Sequence, residues 1–108
     1  MEILEYVDDS DRSPFGIWYA TLDAHAASRT TKALVQLSHG NTSNVKGVGS
    51  GVLELKIDFG SGYRIYFGKD GERIVILLAG GTKKRQQHDI EIAQLRWTTY
   101  KARKKGGK

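Results

Sequence analysis

Residues 52–79 hold three strand-like runs separated by turns too short for anything but chain reversal, and this most restricts the fold. Val52–Ile57 alternates, with Leu53, Leu55 and Ile57 on one face and Glu54 and Lys56 on the other. "DFGSG" then turns the chain. Tyr63–Phe67 alternates in the same way: Tyr63, Ile65 and Phe67 are on the apolar side, Arg64 and Tyr66 opposite. Asp70-Gly71 signals a two-residue hairpin turn. Arg73–Ala79 is apolar on both faces, the pattern of a central strand. Strands joined this tightly form an antiparallel meander. Gly80-Gly81 is expected to break the third.

Before this meander, "EILEYV" (2–7) reads as a short strand with Ile3 and Tyr6 among its apolar positions. Ser13 is placed as an N-cap, with Pro14 as the first helical residue. Phe15, Trp18, Tyr19 and Leu22 follow at helical spacing. Asp23 caps a second helix, with Ala26, Thr30, Ala33, Leu34 and Leu37 along one side. Gly40 is placed to end it in a left-handed conformation. "NTSNVKGVGSG" (41–51) is rich in turn formers and reads as a loop. A last helix is expected from about Lys84 to about Lys101, with Ile90, Ala93 and Trp97 on one face and Ile92 and Leu95 widening it.

The expected order is strand-helix-helix-strand-strand-strand-helix. This is an α+β fold with a small antiparallel sheet, in one domain over residues 1–102, with a basic, flexible tail at 103–108. The helices should cover mainly one face. Glu54, Lys56, Arg64 and Tyr66 would then lie on a partly open face.

The chain of 108 residues can bury a single core without disulfides, and it has no cysteine. Thiolate metal sites and thiol nucleophiles are therefore excluded. The longest apolar run, Ile74 to Ala79, is too short to span a bilayer. The start of the chain is acidic, unlike a secretory signal. The expectation is a cytoplasmic protein with no membrane partner.

Lys and Arg number 17 against 12 Asp and Glu, a net charge of +5, and the charge is unevenly spread. Residues 1–12 carry five acids and one base, whereas residues 83–108 carry nine bases and two acids. Such a basic end suits nucleic acid or an acidic protein. No Ser–His–Asp order stands out as a triad, and no phosphate-loop motif or cluster of metal ligands is present. Gly47, Gly49 and Gly51 precede a strand instead of opening a helix, so they are no dinucleotide fingerprint.

Two stretches, "VKGVGSGVLELKIDFGSGYRIYF" (45–67) and "VILLAGGTKKRQQHDIEIA" (75–93), resemble the RelE/HigB toxins of bacterial type II toxin–antitoxin modules. More narrowly, they are similar to the phage-derived Gp49-like, or addiction module killer protein, branch. The resemblance runs from the Trp18 helix to the Trp97 helix. It implies a RelE-like fold and an endoribonuclease (an mRNA interferase) that cuts messages in the ribosomal A site by attack of the ribose 2′-hydroxyl, without metal or other cofactor. It also implies a cognate antitoxin of the HigA-like helix-turn-helix kind, through which the toxin would meet operator DNA.

Such chemistry needs a proton acceptor, a stabiliser of phosphorane charge and a proton donor or shield for the leaving oxygen. By the resemblance, Arg64 is the phosphate-binding arginine; a guanidinium fork suits phosphate and stays charged. Arg64→Ala is expected to abolish growth arrest with folding intact. Glu54 and Lys56 share the face of Arg64; one or the other is the general base by the resemblance, and the alternative is an ordinary cross-strand ion pair, such as Arg64 with Glu54 or Asp58 across the hairpin. Lys83, in Gly-Gly-x-Lys, matches the second basic catalytic position, although Thr82 stands where that branch often has Asp. His88 lies near a Tyr or His that acts on the leaving group in relatives. Lys46, Lys84, Arg85 and Arg96, with Tyr66, are expected to hold RNA. The alternatives are a non-catalytic ParE-like toxin that inhibits gyrase, and an RNA-binding module without catalysis.

Overall fold

The computed structural model describes residues 1–107. Strand β1 (Glu2–Glu5) leads to helices α1 (Pro14–Ala20) and α2 (Ala24–Ser38). Strands β2 (Val45–Gly47), β3 (Leu53–Ile57), β4 (Tyr63–Asp70) and β5 (Ile74–Thr82) follow, then a 3₁₀ turn (Lys83–Arg85) and helix α3 (Gln86–Gly107). The five strands form one sheet in the order β1-β5-β4-β3-β2. The sheet is mixed and not wholly antiparallel, because β1 runs parallel to β5.

The caps form as the residue types predict. Ser13 accepts from the Gly16 amide and Pro14 opens α1. Asp23 accepts from the Ala26 amide at the start of α2. Gly40 follows α2 with φ +91°, the left-handed geometry that a side chain resists. The Tyr19 hydroxyl ties α1 to α2 through Thr31 Oγ1 at 2.8 Å.

Further features differ from the sequence expectation. Part of the 41–51 loop is strand: β2 pairs antiparallel with β3. The tight turn between them uses positive φ at Gly49, Ser50 and Gly51, so the glycines serve a hairpin and not an open loop. The β4–β5 turn holds three residues, not two, since Asp70 pairs with Ile74. Gly80 and Gly81 do not break β5, which continues to Thr82. Both glycines are sites of close approach. A Cβ on Gly80 would lie 2.2 Å from the Trp18 ring, and one on Gly81 would lie 2.0 Å from Asp89 Oδ2. Finally, the helices do not crowd one face. Helices α1 and α2 cover the side with Leu55, Ile57, Ile65, Phe67, Val75 and Leu77. Helix α3 lies on the other, packing Ala93 and Trp97 against Val52, Tyr66, Ile76 and Leu78.

A β-bulge sets which side chain meets which helix. Tyr66 pairs with Ala79 but Phe67 pairs with Leu77, leaving Leu78 as the extra residue. The bulge puts Leu78 and Ala79 both in the α3-side core and returns Gly80 to the Trp18 side. The Leu78 carbonyl accepts from Arg96 Nη1 of α3 at 2.9 Å. Helix α3 continues through residues 103–107, where a flexible tail was expected. Arg103 there donates to the Val7 carbonyl and pairs with Asp9, each at 2.7 Å. The last residue, Lys108, lies outside the described residues. Among those described, no helix is long and apolar enough to cross a membrane.

Candidate active site

Strand register lines up the polar residues on the α3 side. Glu54 stands between Lys46 of β2 and Tyr66 of β4; Arg64 stands between Lys56 of β3 and Gly81 of β5. Residues directly opposite on neighbouring strands are close enough for their side chains to interact. Two adjacent rows of charge therefore follow from the alternation that the sequence shows.

Within these rows Glu54 is 1% exposed and Arg64 is 7% exposed. Arg64 was expected on an open face; α3 covers that face and the arginine is buried. Arg64 Nε lies 3.6 Å from Glu54 Oε2, an ion pair too long for a hydrogen bond. Glu54 Oε2 instead accepts from Gln86 Nε2 at 2.8 Å, and Lys46 Nζ stands 3.9 Å from Oε1. The Nε and Nη1 atoms of Arg64 have no hydrogen-bond partner. Few buried polar groups in folded proteins go unpaired, so this guanidinium is set apart from the other cations of the sheet.

Arg64 opens onto a cleft of about 270 Å³, lined also by Lys46, Glu54, Lys56, Ser43 and Asn44. With Lys46, Lys56 and Arg64 positive and Glu54 negative, the ionised lining carries +2. Among the described residues no group of three or more His, Cys, Asp or Glu is arranged to hold a metal ion.

The remaining expected residues are placed as follows. Tyr66 is fully buried, so its ring offers no face to a base, and its hydroxyl has no hydrogen-bond partner. Burial, with the Glu54 carboxylate second, pushes its phenol well above the usual range. Lys83, Lys84 and Arg85 are exposed on the 3₁₀ turn. That turn is drawn toward the site by the bond from the Lys83 amide to the Gly62 carbonyl, and Gly62 adjoins Arg64 Nη1. His88 is exposed in the first turn of α3 and is not among the residues lining the cleft. Arg96 is bound to the β-bulge and does not line the cleft either. Burial lowers its pKa.

Two residues here carry no signal in the sequence alone. Gln86 is one of a neutral pair at the start of α3, and only the packing of α3 sets it against Glu54. Asp89, in the same turn, lies against Gly81, the strand partner of Arg64. Burial pushes its carboxyl up, against the pull of Arg85, His88 and Arg96.

Fold and site together define a small α+β domain with a cationic cleft at the edge of its sheet. The chain belongs to the family described as Phage derived protein Gp49-like (DUF891), whose model matches residues 18–98, a span that includes every residue of the cleft. This family is toxin-like and associated with toxin–antitoxin modules, which implies an antitoxin as partner. An uncharacterized protein of Haemophilus influenzae (strain ATCC 51907 / DSM 11121 / KW20 / Rd) is 38% identical over 82 residues, covering 75% of this chain and 83% of that protein.

Proposed function

We propose that this chain is the toxin of a type II toxin–antitoxin module, of the RelE/HigB kind, and that it cleaves messenger RNA on the ribosome. The observation that carries this reading is the nearly buried Arg64, which lines one cleft with Lys46, Lys56 and the carboxylate of Glu54.

In this reading the scissile phosphate enters the cleft and its non-bridging oxygens accept from the exposed edge of the Arg64 guanidinium. Glu54, beside it, takes the proton of the 2′-hydroxyl. The 2′-oxygen bonds to phosphorus, the bond from phosphorus to the 5′-oxygen breaks, and the products are a 2′,3′-cyclic phosphate and a 5′-hydroxyl. Lys56, at the mouth, donates the proton to the leaving oxygen, while Lys46 and Arg64 offset the charge that builds on the phosphorane. Gln86 acts through Glu54 by fixing one carboxylate oxygen. His88 and Lys83 lie outside this cleft lining, and their roles fall to the contact with ribosome and message. A helix-turn-helix antitoxin that also binds operator DNA completes the module.

Primer extension on a message during brief expression tests this reading. In-frame cuts within translated codons are expected, with a 5′-hydroxyl on the downstream fragment. Arg64→Lys keeps the charge but loses the fork, and cleavage should fall roughly 10²–10³-fold, the loss typical of one oxyanion donor. Intact message in growth-arrested cells, or a folded Arg64→Lys protein that cuts at the wild-type rate, contradicts it.

A further inference from the structure

A second basic cleft lies on the far side of Lys56. It has a volume of about 260 Å³ and is lined by Arg29 and Lys32 of α2, with Asn44, Lys56 and Asp58. A small cavity with Gln36, Asn44 and Lys56 in its wall lies between this cleft and the Arg64 cleft. Asn44 and Lys56 line all three, and the Lys56 amide donates to the Asn44 carbonyl at 3.0 Å. The three hollows therefore form one track around the start of β2.

The charge along this track is one-sided. Arg64, Lys46, Lys56, Arg29 and Lys32 face Glu54 and Asp58, a net of +3. Arg29 and Lys32 are exposed and have no ion pair among the described residues, and three-residue spacing puts them on one side of α2. The Arg29 guanidinium lies 4.8 Å from the centre of the Phe59 ring, which steadies it without consuming its donors.

We propose that a single RNA strand with one phosphate on Arg64 continues past Asn44 and Lys56 and lays neighbouring phosphates on Arg29 and Lys32. This rests on the nuclease reading for the Arg64 cleft and assigns α2 as a second, sequence-independent contact with the substrate. A polyanion held at Arg64 must leave the cleft, and this track offers it positive charge. Single-strand sites are typically grooves of this kind, in which cations follow the backbone. An acidic polypeptide is the competing occupant, since a carboxylate also fits the guanidinium fork; the nuclease reading of the Arg64 cleft favours RNA, and poly-glutamate binding tests the other.

The test is fluorescence anisotropy with labelled 2′-O-methyl RNA, which lacks the attacking hydroxyl, at two lengths: three and nine nucleotides. Arg29→Gln/Lys32→Gln changes only exposed side chains. Loss of two phosphate contacts should lower the salt slope for the nonamer by about 1.4, at about 0.7 per phosphate on a single strand, or roughly 25-fold in affinity at about 0.1 M salt. The trimer, which reaches only the Arg64 cleft, should bind the double variant as it binds wild type. Arg64→Lys should weaken both lengths. An unchanged nonamer affinity and slope in the double variant overturns the α2 track and leaves the Arg64 reading standing. Weakened binding of poly-glutamate by the double variant, with RNA binding unchanged, overturns it in favour of a polypeptide. Wild-type protein that binds neither RNA overturns the track and the phosphate role of Arg64 together.

Discussion

Replacing Arg64 by alanine takes away the cation that stands 3.6 Å from a carboxylate only 1% exposed. At an effective dielectric of about 20, that contact corresponds to roughly 4–5 kcal/mol of Coulomb attraction. Breaking a buried pair from one side typically costs about 3–5 kcal/mol. Two effects reduce the loss here. Glu54 keeps Lys46 at 3.9 Å and Gln86 at 2.8 Å, and the unpartnered donors of Arg64 vanish with the side chain. A net destabilisation of about 2–3 kcal/mol is expected, which lowers Tm by roughly 10–20 °C in a domain of this size. Glu54→Gln in the Arg64→Ala background removes the stranded charge and keeps the carbonyl oxygen that Gln86 can donate to. Urea unfolding of wild type, both single variants and the double variant should give a coupling of about 2 kcal/mol, with the double variant less destabilised than the sum. Additivity within about 0.5 kcal/mol would falsify the buried pair. The double variant should be folded yet inactive in message cleavage. Recovered cleavage would remove Arg64 from the phosphate site.

Two further outcomes follow from packing and titration. Gly68→Ala sets a Cβ 2.5 Å from the Trp97 ring, in a core with little room to yield, and should cost about 1–3 kcal/mol by thermal unfolding; an unchanged Tm contradicts the close contact. Hydrogen bonds from Lys104 and then Tyr100 hold the Asp70 carboxyl below its ordinary value, so their stabilisation is present above about pH 4 and lost as pH falls through the lowered folded value. The stability gap between wild type and Asp70→Asn should therefore be level near neutrality and close in acid; a gap that persists unchanged to pH 3 refutes it. At the alkaline end the Tyr100 phenol, pushed up to about 12 by burial and then by Asp70, should draw stability down between about pH 10 and 12.

Local chemistry was legible in the sequence wherever a residue type has a single physical use. Ser13, Asp23 and Gly40 cap their helices because hydroxyl, carboxylate and absent side chain each satisfy a defined backbone need. The alternation of Leu53–Ile57 and Tyr63–Phe67 put Glu54, Lys56, Arg64 and Tyr66 on one face, and the register keeps them there. What depends on the third dimension was not legible. The apolar residues of α3 do not say which side of the sheet it takes, so Arg64 was expected in the open and is buried. The same gap hid Gln86, whose role exists only once α3 is laid beside Glu54. Gly80 and Gly81 read as a strand break because glycine is permissive in turns; in β5 they are small so that Trp18 and Asp89 can come close.

The Leu78 bulge joins these elements. Side chains alternate with period two, so the same sequence in a strictly alternating strand, with no bulge at Leu78, would send Gly80 toward α3 and Gly81 toward α1. Ala79 would then face Trp18. Asp89 would lose the bare backbone at Gly81, the strand neighbour of Arg64. Arg96 would also lose the bulged carbonyl that it holds from α3. The bulge in β5 thus places Gly81 on the α3 side, in the row that carries Arg64, where Asp89 from the first turn of α3 lies against it. The same helix covers the sheet around that arginine, and a cleft remains where Lys46, Lys56 and the start of β2 meet. A guanidinium at the base of such an opening is shielded from water on the protein side and reachable from one direction, an arrangement in which a charged donor acts most strongly on an anion.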